Sequence, residues 1–125
     1  MKKTILLIED NAQNRYLTTF LLEHHGYQVI QALDGPSGIA MAVEKRPDLI
    51  LLDIQLPGMD GHAVARNLRA NPLFERTPIV AVTSYAMVGD REKCLAAGCD
   101  GYIEKPINPD TFAAEIDAHL KPSTS

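Results

Sequence analysis

Chemistry in this sequence gathers at four places, each just past a run of apolar residues. Glu9 and Asp10 follow Thr4–Ile8, Asp53 follows Leu49–Leu52, Thr83 and Ser84 follow Ile79–Val82, and Glu104-Lys105-Pro106 follows Gly101–Ile103. An ionised carboxylate beside a core is costly unless something pairs with it. Asp53, at the end of LILLD, therefore needs partners from elsewhere in the chain. Three carboxylates brought together repel, and some hold protons unless a cation sits among them. A hard divalent ion with oxygen ligands, Mg²⁺ in particular, resolves that conflict. Lys105 supplies a compact positive charge that can pair with Asp53 and then with an incoming anion. Metal and lysine together would neutralise a phosphoryl group and leave one Asp53 oxygen to attack it, with the Thr83 hydroxyl donating to a phosphoryl oxygen. Each residue alone has a plainer role. Asp53 would be a turn or cap residue, Glu9-Asp10 a cap for the first helix, and Lys105 a solvated side chain. Their recurrence at four strand ends is what favours a site.

The elements that must position these groups follow from the pattern of apolar residues. Thr4–Ile8, Val29–Ala32, Leu49–Leu52, Ile79–Val82 and Gly101–Ile103 are rich in Ile, Val and Leu and do not alternate strictly. That pattern predicts strands covered on both faces. The intervening segments have helical spacing. Tyr16, Leu17, Phe20 and Leu21 form one stripe, closed by Gly26. Ile39, Ala42 and Val43 form a second, entered through Asp34-Gly35-Pro36. Val64 and Leu68 form a third, stopped at Asn71-Pro72. Cys94, Leu95 and Gly98 suggest a fourth, and Phe112, Ala113, Ile116 and Leu120 give a fifth, entered through Asn108-Pro109-Asp110. Five alternations of strand and helix predict an α/β fold, a parallel sheet with helices on both faces. In such a sheet the strand C-termini share one edge, and ligands bind there.

Bulk properties narrow the function. With 125 residues, 46% of them hydrophobic, one domain with a proper core is expected, residues 1–121, followed by a short flexible tail at 122–125. The formal net charge of -4, with no polybasic block, argues against a nucleic-acid binder. The N-terminal MKKTILLIED is too short for a membrane span and lacks a signal-peptide cleavage site, so a cytoplasmic protein is expected. Cys94 and Cys99 match neither a metal pattern nor a disulfide framework and read as small, semi-buried thiols.

ILLIEDN with its acidic pair, LILLDIQLPGMDG, PIVAVTS and GYIEKPI, in this order and spacing, resemble the response-regulator receiver domain of two-component signalling over nearly the whole chain. The resemblance implies a doubly wound, flavodoxin-like (βα)5 fold with five parallel strands in the order 2-1-3-4-5. It implies that Asp53 is the phosphorylated aspartate and that Mg²⁺ is held by Asp10 directly, by Glu9 through water, by Asp53, and by the backbone carbonyl of Gln55. Thr83 resembles the switch hydroxyl, Tyr102 the aromatic second switch residue, and Lys105 the site lysine, with a cis Lys105-Pro106 bond. The phosphodonor would be a histidine kinase or a histidine phosphotransfer protein.

The expected output is a surface change that a downstream protein binds, because the chain ends soon after the fifth helix. The protein would act as a monomer or a weak phosphorylation-dependent dimer, and would catalyse only its own phosphorylation and dephosphorylation. Gln55 and Tyr85, two residues past Asp53 and Thr83, occupy positions that tune dephosphorylation. A bulky Tyr85 would screen the phosphoryl group from water and prolong its life. A Mg²⁺-dependent aspartyl-phosphate hydrolase is disfavoured because it would carry a second carboxylate at position 55. A flavodoxin-like cofactor binder is disfavoured because Glu9-Asp10-Asn11 would repel a phosphate. A receiver module of a hybrid kinase or larger regulator is the remaining alternative.

Overall fold

The computed structural model describes residues 2–84 and 88–120. Its elements run β1 (Thr4–Ile8), α1 (Ala12–His24), β2 (Gln28–Ala32), α2 (Gly35–Lys45), β3 (Leu49–Asp53), α3 (Gly61–Ala70), a 3₁₀ turn (Pro72–Phe74), β4 (Ile79–Thr83), α4 (Asp90–Ala96), β5 (Gly101–Glu104) and α5 (Phe112–Leu120). The strands form one sheet in the order β2-β1-β3-β4-β5, and every neighbouring pair is parallel. Alternate strand residues feed two cores. Leu6, Ile8, Ile50 and Leu52 pack with Val64, Leu68, Phe74 and Cys94, while Ile5, Leu7, Leu49, Leu51 and Val80 pack with Leu22, Phe112 and Ile116. Helices on both faces leave β3 and β4 no polar side, which is why they read as unbroken apolar runs.

Local signals set most helix boundaries. Asn11, Asp34 and Asp60 cap α1, α2 and α3 by accepting from Asn14, Ser37 and Ala63 N–H groups at 2.9 Å. Gly26 closes α1, its N–H donating to the Glu23 carbonyl while Tyr27 N–H donates to that of Leu22. Strands β3, β4 and β5 each run one residue beyond their apolar stretch, so Asp53, Thr83 and Glu104 end strands rather than begin loops.

The expected core stripe of α1 is corrected by rotation of the helix. Thr18 and Leu22 face the sheet, whereas Tyr16 and Phe20 are 74% and 54% exposed and stack with His24 along the outer surface. The residues that meet α5 and the sheet set the helix's rotation, and hydrophobicity alone did not identify them. In α4 the expectation divides, with Cys94 buried and Leu95 exposed. Both cysteines are buried and unpaired. Tyr85 and the 122–125 tail lie outside the described residues.

Candidate active site

The β3 terminus places Asp53 in the sheet's C-terminal crevice, with only 3% of its surface exposed. Across β1, Glu9 is equally buried, and Asp10 beside it is exposed. Carboxylate oxygens of Glu9, Asp10 and Asp53 all lie within 4.8 Å of one another. Lys105 reaches the cluster from past β5, its Nζ 2.8 Å from Glu9 Oε1 and 3.4 Å from Asp53 Oδ2. The expected pairing with Asp53 is thus shared, and the shorter contact is to Glu9. The Lys105-Pro106 bond is cis. Glu104 stays exposed.

The loop after Asp53 is shaped to keep this geometry. Gly58 adopts φ +73°, a conformation open to glycine in the turn Leu56-Pro57-Gly58. At Gly61 the start of α3 lies directly against the backbone just past Asp53. A Cβ there would lie 2.5 Å from Ile54 Cα and 2.8 Å from the Asp53 carbonyl oxygen. Gly61 N–H also donates to the Ile54 carbonyl (3.0 Å). The helix can therefore approach the site this closely only with glycine at its first residue.

Electrostatics explain what the crevice needs. Burial, followed by the hydrogen-bonded Glu9 carboxyl, raises the Asp53 pKa to about 7, and the Gln55 N–H and Lys105 pull it back only in part. Asp53 is therefore protonated in part near neutral pH, and a divalent cation would displace that proton. An all-oxygen donor set this compact fits Mg²⁺.

Of the remaining candidates, Thr83 and Gln55 converge on the Asp53 side of the crevice, and Tyr102 is tied to α4 instead. Thr83 is fully buried at the end of β4. Its Oγ1 accepts from Gln55 Nε2 at 2.6 Å, and the Gln55 backbone N–H donates to Asp53 Oδ1 at 2.9 Å. Tyr102 sits half-buried on β5, its hydroxyl donating to Asp90 Oδ2 at the start of α4 (3.1 Å). Burial and that carboxylate push its pKa up to about 12. Sequence reasoning missed two participants. Arg15 donates from Nη1 to the Glu9 and Asp10 carbonyls at 3.0 and 2.8 Å, holding the acidic pair in place from the first turns of α1. Asp90 was missed too, and the bond of the expected residue Gln55 to Thr83 was not foreseen, because these partners lie 12 and 28 residues apart with no spacing that marks them.

The family model of the response regulator receiver domain matches residues 5–117. The polar-differentiation response regulator DivK of Brucella anthropi is 40% identical over 120 residues, spanning 96% of this chain and 98% of that protein. The receiver domain of a sensor histidine kinase from Pseudomonas aeruginosa, with a magnesium ion coordinated in its active-site cleft, is 38% identical. Its TM-score is 0.83, with 96% of this chain and 95% of that chain covered. The BeF3-activated N-terminal receiver domain of Klebsiella pneumoniae RstA is 31% identical with a TM-score of 0.88, covering 94% and 98%. The strand order, the carboxylate crevice and these likenesses agree, and the chain belongs to the response regulator receiver domain family, a family of phosphoacceptor signalling switches.

Proposed function

We propose that Asp53 is the phosphoryl acceptor and that a phosphohistidine on a histidine kinase or phosphotransfer protein is the donor. One observation carries this reading: a rigid, buried strand end presents Asp53 beside two further carboxylates and Lys105. Glu9, Asp10, Asp53 and the Gln55 backbone carbonyl would hold Mg²⁺, Asp10 directly and Glu9 through water. Bound there, Mg²⁺ supplies charge neutralisation for the carboxylates and the phosphoryl oxygens. Lys105 can leave Glu9 to pair with the new dianion, and Thr83 donates a hydrogen bond to it. Tyr102 then turns inward as Thr83 moves, which alters the surface of α4 and β5 for a downstream protein.

In this reading the chain catalyses its own phosphorylation and dephosphorylation, and Gln55 at position 55 replaces the second acid that a hydrolase would use. It works in the cytoplasm, where its donors reside, as a monomer or weak dimer and without nucleic acid. Among the described residues, no helix is long and apolar enough to cross a membrane. The likeness to a kinase-borne receiver keeps a module of a longer regulator as a second reading. Incubation with a small phosphodonor and Mg²⁺, followed by intact mass measurement, tests the acceptor. One phosphoryl adduct is expected on the parent and none on Asp53→Asn; an adduct on both rejects the assignment.

A further inference from the structure

Gln55 ties three parts of the crevice together. Its backbone N–H donates to Asp53 Oδ1 (2.9 Å), its Nε2 donates to Thr83 Oγ1 (2.6 Å), and its Oε1 accepts from the Ser84 N–H (3.0 Å). A side-chain amide can be placed in either of two orientations, and here a backbone N–H decides between them. Ser84 N–H can only donate, so the oxygen faces Ser84 and the NH₂ group faces Thr83. Thr83 must therefore accept from Gln55. A hydroxyl carries one hydrogen, so that hydrogen points away from Gln55.

We propose that Gln55 is a positioning residue for the phosphoryl state, and that its amide occupies a lone pair of Thr83 so that the Thr83 hydrogen serves as donor to a phosphoryl oxygen on Asp53. This rests on Asp53 being the acceptor. Two features give the arrangement its effect. Thr83 is fully buried, so water does not compete to reorient the hydroxyl. A hydroxyl that accepts one hydrogen bond also donates a second more strongly. Because Ser84 anchors the other end of the amide, Gln55 has little freedom to turn and offer its oxygen instead.

The opposite reading is that Gln55 tethers Thr83 and holds it back from the phosphoryl group. The two readings predict opposite signs. The probe is BeF3 with saturating Mg²⁺, its apparent affinity followed by amide chemical shifts. Gln55→Met keeps the length of the side chain but cannot donate, and is expected to weaken BeF3 binding about fivefold, the worth of one hydrogen bond. Gln55→Glu can only accept, so it draws the Thr83 hydrogen to itself. It is expected to weaken binding more than Gln55→Met does. In a Thr83→Val background both losses should shrink to within about twofold, whereas general damage to the loop would persist there. Unchanged or tighter BeF3 binding by Gln55→Met, or an equal loss in the Thr83→Val background, overturns the proposal. If BeF3 fails to bind the parent, the acceptor reading falls as well; if it binds the parent and not Asp53→Asn, only the role of Gln55 is at stake.

Discussion

The two ends of this sheet carry charge on different terms. Beneath the N-terminal ends of β4 and β5, Arg69 donates to the carbonyls of Gly98, Phe74 and Thr77, and pairs with Asp100 at 2.7 Å. Asp100 also accepts from the Ile79 N–H at 2.9 Å, so one guanidinium and one carboxylate pin the turn after the 3₁₀ segment to the starts of both strands. At the C-terminal edge, Glu9, Asp10 and Asp53 converge on Lys105. Arg15 nearby serves the carbonyls of Glu9 and Asp10. The first end is internally neutral and saturated with hydrogen bonds. The second has more negative charge than it can neutralise, and its Asp53 carboxyl holds its proton far above the ordinary range. A saturated charge network fastens loops together, whereas an under-neutralised one retains binding energy for a cation or a transferred group.

Substitutions at the two ends should have opposite consequences. Asp53→Asn should abolish the phosphoryl adduct completely while leaving a folded protein, because relieving repulsion costs the fold little; mass measurement and circular dichroism read the two results. Arg69→Met should do the reverse. It strands several carbonyls and Asp100, which is expected to cost about 2–3 kcal/mol in urea unfolding. The folded fraction should still accept one phosphoryl group. Loss of the adduct in folded Arg69→Met would show that the two ends are not separable.

In the metal-free protein the Asp53 pKa is raised by burial and by Glu9 to about 7, above its value in the unfolded chain. Folded protein then binds the extra proton, so this group's stabilisation is present at acid pH and is lost as pH rises toward 7. Denaturation midpoints in the presence of a chelator should fall over that interval, and Asp53→Asn should flatten the trend. Mg²⁺ competes with the same proton, so its affinity should increase as pH rises through the interval, read by amide shifts.

The smallest effect concerns the saturated end. Cys99, between Gly98 and Asp100, and Cys94 are buried, with thiol pKa values pushed up to about 12 and about 11 chiefly by desolvation. Alkylation by iodoacetamide at neutral pH should be slow in the folded protein and rapid in denaturant. Adding Mg²⁺ should leave the folded rate unchanged.

The strand ends were legible because parallel strands buried on both faces leave an unmistakable apolar run, and the first polar residue after each run falls on one edge. Asp53 and Thr83 were readable for that reason alone, whereas Lys105 stands one residue past Glu104, the first polar residue of its run. Gly61 was visible only as half of an Asp-Gly pair; its need to lie 2.5 Å from Ile54 Cα became apparent once α3 was set against the loop. Tyr16 and Phe20 misled, since their spacing fits a core stripe although they lie on the outer face of α1. Periodicity detects an amphipathic helix and not its rotation when both faces carry large apolar groups.

Alone, the order of residues determined the alternation of strand and helix, the caps Asp34 and Asp60, and which side chains stand at the strand termini, because these depend on neighbours within a few positions. Tertiary structure decided that Lys105 lies closer to Glu9 than to Asp53, that Arg69 pins several carbonyls, and that Gln55 spans Asp53, Thr83 and Ser84. Those pairings join residues far apart in the chain. Their geometry is set by how the helices pack on the sheet, and local sequence carries no record of it.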